Sequence, residues 1–159
     1  MATCCDGSSP PAPPTMACPS SGTPSKRVGL VTVKSLVRQL PFGMPRTQYF
    51  FCDSAACDVV YFPLDASAPV FRCRDLLVPV GAKQPSASGL LCYCFGVTRG
   101  QVEEELRKDG KCTVLERIRA EVKAGNCACE WKNPSGKCCL GSIARAIQDF
   151  NRKSGFVPG

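Results

Sequence analysis

The chain has 159 residues, of which 44% are apolar, 13 are cysteine and none is histidine, and its formal charge is +7. That length and apolar content suit one domain or two small ones with a modest core, and no apolar run approaches the roughly 20 residues that cross a bilayer. Cysteine at this density first suggests a secreted disulfide scaffold, but three features argue against one. The opening Met1-Ala2-Thr3-Cys4-Cys5-Asp6 has neither a basic nor an apolar leader region, the cysteine count is odd, and the cysteines fall in tight Cys-x-Cys and Cys-Cys pairs. Close pairs suit metal ligation better than bridging, so the expected compartment is the reducing cytoplasm. Without imidazole, a bound metal must rely mainly on sulfur, which favours zinc, iron-sulfur or Cu(I). The Lys and Arg residues are scattered, with no basic block or basic-aromatic ladder, and read as solvated surface, not as a nucleic-acid face. No nucleophile-base pair stands out, and no enzyme activity is expected.

In chain order, residues 1–17 are rich in Pro and Ser, including the stiff tract Pro10-Pro11-Ala12-Pro13-Pro14, and predict a disordered tail that carries Cys4 and Cys5. Val33, Leu36, Val37 and Leu40 recur at helical spacing, with Thr32 placed to cap the helix and Pro41 beyond its end. Tyr49–Cys52 and Cys57–Phe62 read as two strands around a short polar connection, with Cys52 and Cys57 at their inner ends. Val70–Arg74 and Leu76–Val80 read as further short strands, and residues 81–89 as a linker.

The later part reads as helical. Thr98-Arg99-Gly100-Gln101 is a capping box with Val97 and Val102 spaced as a hydrophobic staple, and the run Glu103-Glu104-Glu105 suits the positive end of the helix that follows. Gly110 stops that helix, Thr113-Val114-Leu115-Glu116 is a second capping box, and Leu115, Ile118 and Val122 form a stripe ending near Gly125. Asn133-Pro134-Ser135-Gly136 has the composition of a type I turn. A third helix is expected from about Cys139 through Ile143, Ile147 and Phe150, with residues 153–159 as a flexible tail.

Six of the thirteen cysteines fall in two clusters, Cys92-Tyr93-Cys94 and Cys127 to Cys139, on either side of the helical segment. Bringing thiolates from distant positions together is what a polynuclear iron site requires. Cys138 and Cys139 open the last helix, where its amides and dipole are expected to lower thiol pKa values.

Leu91-Cys92-Tyr93-Cys94-Phe95-Gly96-Val97-Thr98 followed by two helices resembles the 2Fe-2S domain of bacterioferritin-associated ferredoxins (BFD). The continuation Cys129-Glu130-Trp131-Lys132-Asn133-Pro134-Ser135-Gly136-Lys137-Cys138-Cys139 is closer still to the N-terminal domain of CopZ-type copper chaperones. The upstream zinc module of that family has a Phe-Cys-x4-Cys-x-Val-Val-Tyr-Phe signature, which Phe51 to Phe62 matches. The resemblance covers residues 18 to 150. It implies an α+β protein: a zinc-binding β module at 18–80, a linker, and a helical BFD-like 2Fe-2S domain at 90–152.

By position, the resemblance implies Cys92, Cys94, Cys129 and Cys139 as cluster ligands, with Cys127 and Cys138 as neighbouring thiols open to a ligand swap. For zinc it implies Cys18, Cys52 and Cys57. The family's fourth zinc cysteine is Ser21 here, in Cys18-Pro19-Ser20-Ser21-Gly22, and a serine hydroxyl does not readily ionise near neutral pH. Either Cys4, Cys5, Cys73 or water completes the site, or the site is weakened or lost. Cys112 reads as an incidental thiol. The implied biology is metal homeostasis: copper trafficking with one-electron transfer by the cluster, exchanged with a metal-transport or redox partner. Two alternatives stand beside it, a ferredoxin-like electron carrier and a zinc-only interaction scaffold. The family often appends a copper-carrying Met-x-Cys-x-x-Cys domain, and the sequence ends at Gly159 without that motif.

Overall fold

The computed structural model describes residues 11–155. Five short strands form one antiparallel sheet in sequential order: β1 (Thr15–Ala17), β2 (Pro24–Val28), β3 (Tyr49–Phe51), β4 (Val59–Pro63) and β5 (Phe71–Arg72). Every residue of β4 is buried, because both faces of the sheet are covered. One face packs Tyr49, Val60, Tyr61 and Phe71 with Val28 and with Val33 of helix α1 (Leu30–Leu36). The other packs Phe50, Val59 and Phe62 around Cys18, Cys52 and Cys57. The Phe50 and Phe62 rings stack at 5.5 Å between centroids, so this small second core is mostly aromatic and sulfur.

Several local expectations are corrected. Thr15–Ala17 pairs with Pro24–Lys26 as an edge strand, so ordered structure begins inside the expected tail; Cys4 and Cys5 lie outside the described residues. Thr32 is inside α1, not its cap, and its buried hydroxyl donates to the Glu130 carbonyl at 2.7 Å. Leu76–Val80 is not a strand: Val37 and Leu76 make one isolated bridge, and Val80 to Lys83 turn through a short 3-10 segment. That turn needs Gly81, since a Cβ there would sit 1.7 Å from the Leu90 carbonyl oxygen.

The later part consists of the hairpin β6 (Leu90–Cys92) and β7 (Val97–Thr98), then α2 (Arg99–Asp109), α3 (Val114–Lys123), the short α4 (Cys129–Lys132) and α5 (Leu140–Ser154). The Thr98/Gln101 capping box forms, with bonds of 3.3 and 2.9 Å, and Gly110 caps α2 at φ 68°. The second capping box does not form. Instead, Glu105 reaches across from α2 to accept the Thr113 amide and hydroxyl at 2.9 and 3.0 Å, and this capping of α3 is what Glu105 does. Helix α5 runs to Ser154, into the expected C-terminal tail. Val102, Ile118 and Ile143 centre an apolar cluster that contains Cys92, Cys129 and Cys139.

The Asn133–Gly136 turn docks on the first half. The buried Tyr61 hydroxyl donates to the Pro134 carbonyl at 2.6 Å, and Gly136, at φ 69°, comes so near Thr32 that a Cβ would lie 2.8 Å from its hydroxyl. The loop that carries Cys129 to Cys139 is therefore positioned partly by the sheet. Among the described residues, no helix is long and apolar enough to cross a membrane.

Candidate metal centres

The first thiol group sits at the end of the sheet. Cys18 follows β1, Cys52 follows β3, and Cys57 precedes β4, so the β3–β4 connection delivers two of the three thiols. All three are buried, their Sγ atoms lie within 4.8 Å of one another, and Cys18 and Cys57 are 3.9 Å apart. Zinc–sulfur bonds of about 2.3 Å place thiolates about 3.8 Å apart at tetrahedral corners, so the donor set fits zinc. Ser21 occupies the solvent side of the group, with its Oγ 3.6 Å from Cys52 Sγ. Burial raises the Cys18 thiol, but hydrogen bonds from the Ser21 backbone and side chain, the Ser20 backbone and Cys52 outweigh it and leave the pKa at about 7. Burial pushes the Cys52 thiol up. Cys73 packs against the other face of the sheet and is not among the converging thiols.

The second group is built from two loops. Cys92 and Cys94 come from the β6–β7 hairpin, Cys129 from the start of α4, and Cys139 from the position just before α5. Cys139 Sγ donates to Cys92 Sγ at 3.2 Å, and Cys94 and Cys129 are 3.7 Å apart. The Ala128 amide donates to Cys94 Sγ at 3.1 Å, the kind of backbone donor that favours a thiolate. The hydrogen bond from Cys139 lowers Cys92 to about 6 despite its burial. The expectation for Cys139 is corrected: its bond to Cys92, its burial and the neighbouring thiols push its pKa strongly upward, outweighing the start of the helix. Burial likewise raises Cys129, to about 11. Cys138 is exposed, yet its Sγ lies within 4.8 Å of those of Cys129 and Cys139. Cys127 is half-buried at the edge of the same cluster, and Cys112 is half-buried beside Glu105 with its pKa raised by burial.

Three comparisons bear on these groups. Residues 15–76 match the zinc binding domain family of CopZ. That span contains the whole first thiol group. The copper chaperone CopZ of Archaeoglobus fulgidus is 34% identical over 130 residues, which are 82% of this chain and 61% of that protein. The chain therefore spans less than two thirds of that relative. The X-ray structure of the A. fulgidus CopZ N-terminal domain superposes with a TM-score of 0.62 at 29% identity, over 90% of this chain and 100% of that one. The mixed α+β architecture, an antiparallel sheet followed by helices, is thus similar to that of the CopZ N-terminal domain.

One residue at the first group lies beyond the match to the CopZ zinc binding domain and was not marked by the sequence. Lys83, in the segment read as a linker, donates through Nζ to the Ser54 and Cys57 carbonyls at 2.8 and 2.7 Å. The same ammonium is 4.0 Å from Cys52 Sγ. It therefore staples the Cys52–Cys57 turn and places a positive charge beside the thiols. Tyr93, between Cys92 and Cys94, holds the same segment from the other side, donating to the Pro79 carbonyl at 2.6 Å and accepting from the Gly81 amide at 2.7 Å. A lone lysine among scattered cations carries no periodic or motif signal, so only the folded contacts reveal it.

Proposed function

We propose that the chain is a metal-trafficking protein of the CopZ kind with copper as its cargo. In this reading Cys18, Cys52 and Cys57 hold zinc in a module at 18–80, and Cys92, Cys94, Cys129 and Cys139 hold a 2Fe-2S cluster in a helical domain at 90–152. The observation that carries the cluster reading is the pairing of its thiols. A cluster with two irons takes two thiolates at each, and the Cys92–Cys139 and Cys94–Cys129 pairs each join one hairpin cysteine to one from the 129–139 loop. Cys138 is the less favoured ligand because it is exposed, whereas Cys92, Cys129 and Cys139 are buried.

When bound, the cluster supplies one-electron exchange and the zinc supplies a cross-link to a β module with a small core. The chain's own residues do the rest. Val102, Ile118 and Ile143 pack the cluster thiols in an apolar setting, Ala128 donates to Cys94, and Lys83 offsets negative charge at the zinc thiols. Copper is the cargo because the similar A. fulgidus protein is a copper chaperone, and a metal-transport or redox protein is the implied partner. No residue is proposed to be catalytic.

A second reading, a ferredoxin-like electron carrier without copper cargo, is favoured by the burial of three of the four cluster thiols, which suits electron exchange better than ligand exchange. The deciding experiment titrates Cu(I) into anaerobically reconstituted protein while the visible cluster spectrum is followed. Copper uptake with the spectrum retained supports trafficking. Failure to bind copper by a protein that keeps a reducible cluster leaves the electron carrier. A colourless protein containing zinc alone contradicts both and leaves the zinc scaffold.

A further inference from the structure

We propose that the cleft between the two thiol-bearing halves binds a small oligo-anion of the phosphate or carboxylate class. The cleft has a volume of about 440 Å³, and its walls come from β2, the Val80–Ala82 segment, β6, the start of α2, the Asn133–Cys138 turn and the first turns of α5. Five cations line it: Lys26, Arg27, Arg99, Lys137 and Arg145. Only two carboxylates do so, Asp53 and Asp149, and Asp149 is already ion-paired with Arg152. Among the described residues, none of the five cations pairs with a carboxylate.

Arg99 is the most constrained of the five. Its Nε is shut off from solvent and is the one buried side-chain nitrogen or oxygen among the described residues that lacks a hydrogen-bond partner. Its backbone is fixed, since its amide donates to the Gly89 carbonyl at 2.9 Å as α2 begins. A guanidinium presents a planar fork of donors that matches carboxylate and phosphate oxygens, and Arg99 lines the cleft beyond its buried Nε. Gly141 and Ser142 add the first turn of the 15-residue α5 to the same wall, where amides and dipole also favour an anion. Converging like charges repel one another until a counter-charge enters. The volume falls in the range of roughly 300–1,000 Å³ typical of small-ligand pockets, which favours a small anion over a polymer.

A second groove carries the opposite balance. The groove of about 570 Å³ between α2 and α3 is lined by Glu104, Glu105, Asp109 and Glu121 against Lys108 and Arg117, and its balance is negative. The proposal does not depend on which metal the thiols hold, although Cys138 and Tyr93 stand on the cleft wall.

The test is calorimetric titration of the full chain, metal-loaded as purified, with pyrophosphate and separately with citrate. Amide chemical shifts are followed in parallel. Binding of either supports the site, and the tighter of the two identifies phosphate or carboxylate as the natural head group. Arg99→Met is expected to weaken that binding about tenfold or more, as loss of a charge-assisted bond does. The exposed Arg145→Met serves as a second variant should Arg99→Met misfold, and Lys108→Met in the other groove is expected to change nothing. No heat and no cleft shifts with either anion, at concentrations up to about a thousandfold the micromolar range where specific sites saturate, overturns the proposal. So does equal affinity in wild type, Arg99→Met and Arg145→Met. Hexaglutamate binding more than about tenfold tighter than either small anion, a difference near 1.4 kcal/mol, also overturns it, in favour of an acidic partner segment.

Discussion

Replacing Ser21 with cysteine should convert the proposed three-thiol zinc site into a four-thiol one. Ser21 Oγ lies 3.6 Å from Cys52 Sγ, close to the edge of about 3.8 Å expected between thiolates around zinc. Structural zinc binding in four-ligand peptides is worth about 10–16 kcal/mol, or roughly 2.5–4 kcal/mol for each ligand. The incoming thiolate displaces a weaker oxygen donor and adds a fourth negative charge, so only part of that gain should appear. An increase of about 1.5–3 kcal/mol corresponds to zinc bound roughly tenfold to a hundredfold more tightly. Competition with a chromophoric chelator measures this directly, and the visible spectrum of the cobalt-substituted protein reports the added sulfur ligand. Unchanged zinc affinity together with an unchanged cobalt spectrum, in a folded variant, would refute the placement of residue 21 at a coordination corner.

Lys83→Met should weaken zinc binding about tenfold: a unit charge 4.0 Å from Cys52 Sγ is worth up to about 4 kcal/mol at an effective dielectric of about 20, before a large discount for solvent. Lys83→Arg, which keeps the charge, should recover part of the loss in the same chelator competition. Tyr61→Phe removes the buried bond to the Pro134 carbonyl and should cost about 1–3 kcal/mol in denaturant unfolding, because that carbonyl is left without its partner. Glu105→Gln should cost about 1 kcal/mol at neutral pH, the usual worth of a cap. Burial opposes ionisation of Glu105, but its bonds to the Thr113 hydroxyl and amide outweigh this and lower its pKa. The stabilisation is therefore present above the ordinary glutamate pKa and lost as pH falls through the folded value, so melting curves of wild type and variant should converge in acid.

Features encoded by neighbouring residues were legible in the sequence. The Thr98–Gln101 capping box, the Gly110 stop, the β3–β4 hairpin and the Asn133–Gly136 turn all depend on spacings of a few residues, and the fold contains each of them. Features set by tertiary contact were misread. Thr32 has the side chain of a cap but serves as a bridge to Glu130. Thr113 and Glu116 have capping-box spacing, yet Glu105 from the preceding helix takes that work. Thr15–Ala17 follows a proline-rich tract, and its strand character comes only from the edge that β2 offers. The same division holds at the candidate sites. Cys18, Cys52 and Cys57, named through the family resemblance, converge in the fold, while the second group brings Cys92 to Cys139 and Cys94 to Cys129 and also draws in Cys138. The thiol pKa values were not legible, since burial and thiol–thiol bonds overrode the helix-start argument at Cys139. Lys83, Tyr93 and the cationic cleft were hidden as well, because each exists only once the two halves are docked.

The most direct test of the account is metal and acid-labile sulfide analysis of the anaerobically reconstituted protein, with its visible spectrum recorded alongside. The proposed assignment predicts one zinc and one 2Fe-2S cluster per chain, with cluster absorption lost in Cys92→Ser, Cys129→Ser and Cys139→Ser and kept in Cys127→Ser and Cys138→Ser. A colourless protein with zinc as its only metal would contradict the central claim. A cluster that survives in Cys129→Ser and is lost in Cys127→Ser would contradict the ligand set.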